Sequence, residues 1–180
     1  MKKQLLFIHS AGSQDNGEGS TQLLDLMKAE LGDDYDIIAP IMPDPDNPES
    51  AAWQIATKAH INSLNMPFIL VGHSLGASTI LKVLSEVTLS KQSEAVFLVS
   101  APFWRDNMPD YQLKPDFADH LPSVSITLYH SQDDEVIPLS HFVTFQEKIP
   151  QATLHKLDGY GHFLEVDRFP QLIADIRALD

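Results

Sequence analysis

The sequence predicts an α/β fold: a single domain with a parallel sheet of about six strands and helices on both faces. Three observations predict it. Short apolar, often β-branched runs alternate with segments of helical spacing along the chain, the pattern of repeated right-handed β-α-β crossovers. Several runs lack the polar alternation of a half-exposed strand, which suits strands covered on both faces. At 180 residues and 43% apolar, the chain can bury one sizeable core, and two domains would be cramped.

In order, the strand segments are QLLFIHS (4–10), YDIIAPI (35–41), PFILVGH (67–73), EAVFLVSA (94–101), SVSITLYHS (123–131) and TLHKLDG (153–159). The helical segments are 19–31, carrying Leu23, Leu24 and Met27; 49–64, carrying Trp53, Ile55, Ala56 and His60; 75–87; 139–149; and 168–179. Two connections stand apart. PIMPDPDNPES (40–50) holds four prolines, which stiffen the turn after the second strand. The connection 102–122 is longer than most in compact domains and carries Phe103, Trp104, Tyr111 and Phe117. Such a segment is either a lid or pocket loop or a short helix packed on the sheet edge.

Charge and composition exclude several classes of function. With 25 acidic against 12 basic residues the net charge is −13, which repels nucleic acid and anionic lipid, and no basic patch offsets it. The absence of cysteine excludes disulfides, thiolate metal sites and a cysteine nucleophile. The opening MKKQLLFIHSAG has too short an apolar core for a signal peptide and reads as a first strand, and no run approaches a membrane span. The expectation is a cytoplasmic protein acting on a small molecule.

The chemistry concentrates at GHSLG (72–76). A Gly-x-Ser-x-Gly match is short enough to arise by chance, so its surroundings decide. Here it joins a strand to a helix, the setting that lifts a serine above a sheet edge beside free helix N–H groups. As a mere helix cap, Ser74 would want Glu or Gln three residues on, and Ala77 stands there. A serine hydroxyl is a poor nucleophile and needs a base, with a third group to orient that base. Both candidates follow later in the chain: Asp133 and Asp134 after the fifth strand, and His162 in the glycine-rich turn after the sixth. The order Ser, Asp, His and the placement at strand C-terminal ends bring them together.

Of eight histidines, only His162 follows the last strand between a glycine and an aromatic; His9 and His73 are better placed to support the turn. One of the two aspartates orients the base and the other caps its turn. A metal site from His130, Asp133 and Asp134 lacks a further ligand at a telling spacing, so no cofactor or metal is expected.

At GHSLG, GHF (161–163), and IMPDP (41–45) followed by Trp53, the chain resembles small α/β-hydrolases of the retinoblastoma-binding-protein-9 type over nearly its whole length. The resemblance implies strand order 2-1-3-4-5-6 and makes the second aspartate, Asp134, four residues before Pro138, the acid of a Ser74–His162–Asp134 triad. It departs after the first strand, where His9-Ser10-Ala11-Gly12 replaces the common His-Gly. The oxyanion hole would then use the backbone of Leu75 with Ser10 or Ala11. Phe103 and Trp104, just past the fourth strand, are the expected pocket walls. These features imply a serine hydrolase of small esters, thioesters or amides; acyl transfer or a lyase reaction on the same triad, or a binding module with the triad unused, are the alternatives.

Overall fold

The computed structural model describes residues 2–15, 17–104, 107–163 and 166–179. Six strands, β1 (Lys3–Ile8), β2 (Tyr35–Ile38), β3 (Phe68–His73), β4 (Ala95–Val99), β5 (Ser125–Ser131) and β6 (Thr153–Leu157), form one parallel sheet in the order 2-1-3-4-5-6. Five helices link them: α1 (Thr21–Leu31), α2 (Ser50–Ser63), α3 (Leu75–Glu86), α4 (Leu139–Lys148) and α5 (Pro170–Arg177). The strands and α-helices match the sequence reading in number, order and type, with ends up to three residues shorter except that β1 begins one residue earlier, at Lys3. The second strand stops at Ile38, before the proline-rich stretch whose rings cannot continue a ladder.

Strand periodicity builds the core. Leu6 and Ile8 of β1 and Leu70 of β3 face one side, packing with Trp53 and Ile61 of α2 and Ile80 of α3. Leu5, Phe7, Ile69 and Val71 face the other, packing with Leu23 and Met27 of α1 and Leu172 and Ile176 of α5. Both faces of β3 are therefore buried, which accounts for its unbroken apolar run. No described helix is long and apolar enough to cross a membrane.

The 102–122 connection resolves into two 3₁₀ turns, Pro109–Tyr111 and Phe117–His120, with Tyr111 and Phe117 buried in the α3-side core. Arg105 and Asp106 lie outside the described residues. Its later half thus packs against α3, and its start reaches the candidate site.

Candidate active site

Ser74 sits between β3 and α3 with φ +52° and ψ −119°, a conformation that side chains rarely adopt. The chain is held there by the Ser74 N–H, which donates to Val99 O at 2.8 Å. Both flanking glycines are required by close approach. A Cβ on Gly76 would run into the carbonyl oxygen of Ile8 and lie 2.6 Å from that of His9; one on Gly72 would lie 2.7 Å from the Cα of Ala77. Without those side chains α3 begins directly against the end of β1. The Ser74 hydroxyl makes no cap bond to the helix it precedes.

It turns instead to His162, whose Nε2 is 2.9 Å from Ser74 Oγ. On its other side, His162 Nδ1 lies 2.8 Å from Asp134 Oδ2 and 3.0 Å from Oδ1. A carboxylate faces Nδ1, so that nitrogen carries the proton and Nε2 presents a lone pair to the serine. The Asp134 carboxylate is buried, which alone would raise its pKa. The bonds it accepts from His162, from the Ile137 N–H (2.8 Å) and from Ser100 Oγ (2.7 Å) outweigh burial and hold it at about 2. Ser100, at φ +48° just past β4, went unmarked in the sequence; its position after the neighbouring strand was the only signal. Asp133 holds the loop rather than the ring. Its Oδ1 accepts from Ser131 Oγ and from the Gly159 and Gly161 amides, at 3.0 and 3.3 Å. His130 gives its Nε2–H to Ile137 O at 2.9 Å, with Asp134 Oδ2 3.9 Å away.

The loop after β1 forms the wall opposite His162. His9 Nε2 accepts the Met42 N–H at 2.8 Å, which leaves Nδ1–H to donate to Ser10 O at 2.6 Å. Gly12 N–H donates to Pro45 O (2.7 Å), and Trp53 Nε1 donates to Pro43 O (2.7 Å). The proline-rich stretch is therefore a brace for residues 9–12. Of the three backbone groups expected at the oxyanion hole, Leu75 with Ser10 or Ala11, Ser10 is not available as a donor: its N–H is committed to Ser20 Oγ at 2.8 Å. Ala11 N–H has no partner among the described residues, and Leu75, as the first residue of α3, has no carbonyl a turn behind it within the helix.

A cavity of about 380 Å³ opens over Ser74 and His162, lined also by Ala11, Leu75, Trp104, Met108, Val136 and Ile137. Of the two rings expected as pocket walls, Trp104 stands beside this cavity. Phe103 does not: its ring packs on Phe117 (centroids 6.2 Å apart) and Phe145 (5.3 Å), and its N–H donates to His141 Nδ1 at 2.8 Å. A larger hollow of about 860 Å³ lies at the opposite edge of the sheet, beside Lys3, Gln4 and Pro67, with none of these groups in it.

A serine, histidine and aspartate in line above the C-terminal edge of a sheet of this order mark the α/β-hydrolase class. The chain belongs to the serine hydrolase family, whose model matches residues 37–179. It is similar to the YdeN protein of Bacillus subtilis (strain 168), whose name refers it to the hydrolases, with 28% identity over 180 residues, covering 96% of this chain and 92% of that one. Two solved structures show the same fold. The ydeN gene product of B. subtilis aligns with TM-score 0.77 at 23% identity, covering 99% of this chain and 98% of that one. The 2-hydroxy-6-oxo-6-phenylhexa-2,4-dienoate hydrolase of Rhodococcus sp. strain RHA1 aligns with TM-score 0.78 at 14% identity, covering 99% and 90%.

Proposed function

We propose that this protein hydrolyses small esters, thioesters or amides through an acyl-enzyme on Ser74, without a metal. One observation carries the reading: Ser74 Oγ, the His162 ring and the Asp134 carboxylate form an unbroken hydrogen-bonded line, at 2.9 and 2.8 Å. Ser74 attacks the carbonyl carbon while its proton passes to His162 Nε2, and Asp134 stabilises the resulting imidazolium. The Ala11 and Leu75 N–H groups receive the oxyanion. His162 then protonates the leaving group, and water, deprotonated by His162, releases the acyl product. A cavity of about 380 Å³ with apolar walls suits a small acyl group. The brace from IMPDP and Trp53 to the oxyanion loop gives those residues a physical task and supports placing the protein with the retinoblastoma-binding-protein-9 type.

The test compares wild type and Ser74→Ala with a fluorophosphonate probe and an activated acetyl ester. Stoichiometric labelling and turnover of wild type, both abolished in the variant, are expected. Labelling without hydrolysis of any ester, thioester or amide would transfer the triad to acyl transfer or lyase chemistry. No labelling would remove the nucleophile.

A further inference from the structure

His73, the residue before the nucleophile, is fully buried and takes no part in the proton transfers above. Its Nε2 lies 2.7 Å from the backbone oxygen of His162. A carbonyl only accepts, so Nε2 carries the proton and Nδ1 is an acceptor. Ser20 Oγ lies 2.7 Å from that Nδ1 and donates its one proton there. The Ser20 oxygen in turn accepts the Ser10 N–H at 2.8 Å and lies 3.0 Å from Ser10 Oγ. Ser20 stands at the N-cap of α1 yet makes no cap bond, a contribution usually worth about 1 kcal/mol to a helix. Its hydroxyl is spent on this link instead.

The link is continuous from the main chain of His162, through His73 and Ser20, to the amide of the residue before Ala11. Gln14 closes it from outside, accepting the Ser20 N–H at 2.9 Å and donating to Gly12 O at 2.9 Å. We propose that His73, acting through Ser20, is a positioning residue that fixes the loop of the base to the oxyanion loop, so that His162 and the Ala11 N–H keep one separation about Ser74. The proposal rests on the acyl-enzyme reading. It adds that the two halves of the catalytic apparatus, 152 positions apart in the sequence from Ser10 to His162, are set by a neutral histidine behind them. A misplacement of about 1 Å at such a site costs on the order of 10²-fold in rate, which sets the scale of the effect.

The experiment uses the full chain with Ser20→Ala, His73→Phe and His73→Gln, each quantified by fluorophosphonate titration so that rates refer to intact sites. Ser20→Ala and His73→Phe are expected to lower kcat for an activated ester by about 10- to 100-fold with KM within about threefold. Affinity for a boronic acid that mimics the tetrahedral intermediate should fall in parallel. His73→Gln, whose amide N–H can still reach the His162 oxygen, should recover at least a fivefold part of the loss seen with phenylalanine, by about the worth of one buried hydrogen bond. If His73→Phe does not fold, Ser20→Ala decides alone, because it removes one hydroxyl and no volume. A kcat per titrated site within twofold of wild type in Ser20→Ala, or a glutamine variant no better than phenylalanine, overturns the proposal. A wild type that neither labels nor turns over brings down the acyl-enzyme reading, and this proposal with it.

Discussion

Asp133 and Asp134 are adjacent in the chain and hold different parts of one histidine: Asp134 binds the His162 ring, and Asp133 binds the amides of the turn that carries it. The split follows from the turn that ends β5, closed by the Asp134 N–H donating to Ser131 O at 3.2 Å. Beyond it one carboxylate turns inward among Ser100 and Ile137, and the other reaches across to residues 159–161. The unequal burial of the pair gives them unequal weight in the chemistry.

Asp134→Asn is therefore expected to lower kcat/KM by about 10³- to 10⁴-fold, because an amide cannot stabilise the imidazolium and favours the wrong tautomer. Asp133→Asn keeps an acceptor oxygen for the glycine amides and should cost less than about tenfold. Steady-state rates on one activated ester check both. An Asp133 variant as inactive as the Asp134 variant would assign the acid to the wrong residue.

Acid should weaken the fold well before the carboxylates titrate. Burial, with the neighbouring His162 adding to it, pushes the His73 pKa down from 6.5 to about 3; burial also lowers those of His9 and His130. The folded-state value is the lower one, so the unfolded chain binds more protons on acidification. The contribution of His73 to stability is complete above about pH 6.5 and is lost as pH falls toward 3, at about 1.4 kcal/mol per pH unit. Asp134, depressed from 3.8 to about 2, adds its own loss below pH 4. Urea unfolding at pH 7, 6, 5 and 4 should show this decline, and His73→Gln should flatten it by about one proton's worth. Identical slopes in both proteins would contradict it.

The sequence made the scaffold legible because the inner strands β1, β3, β4 and β5 bury both faces and so read as near-continuous apolar runs, as β1 does with Leu5 and Phe7 on one side and Leu6 and Ile8 on the other. The elbow was legible too, since its two glycines have a steric cause. What stayed hidden depended on where single atoms point. Nothing in Ser10-Ala11 says which amide is already committed; that is decided by Ser20, ten residues on. Nothing in Phe103-Trp104 says which ring faces the cavity, because an irregular segment has no periodicity to assign faces. A serine at an N-cap and a histidine at a buried strand end were visible, but their partnership spans 53 positions.

Gly76→Ala should be damaging out of proportion to one methyl group. The added Cβ meets backbone oxygens of Ile8 and His9, which cannot rotate away, so the start of α3 must lift from β1. That separates the Leu75 N–H from the Ala11 N–H, the two proposed oxyanion donors. Expected are a stability loss of about 1–3 kcal/mol and a fall in kcat of at least about 10²-fold. Thermal melts and ester hydrolysis on the same samples check it, and a variant with wild-type kcat would show that the helix start can yield without cost.

Trp104 and Phe103 are neighbours with opposite expected effects. Trp104 lines the cavity beside Ser74, so Trp104→Ala removes a wall that a longer acyl chain would touch and an acetyl group would not. It should lower kcat/KM for an octanoyl ester by roughly 10- to 100-fold, the worth of about 1–3 kcal/mol of apolar contact, and leave the acetyl ester nearly unchanged. Phe103 instead fills space between Phe117 and Phe145, so Phe103→Ala leaves a void in the α3-side core. It should cost about 2–4 kcal/mol of stability, toward the lower end because the ring is only partly buried, while the octanoyl-to-acetyl ratio stays as in wild type. The two variants thus separate along two axes, selectivity measured by paired ester kinetics and stability measured by denaturation. A shifted ester ratio in Phe103→Ala, or an unshifted one in Trp104→Ala, would mean that the start of the 102–122 connection rearranges when substrate binds and that the wall of the pocket is not the one described.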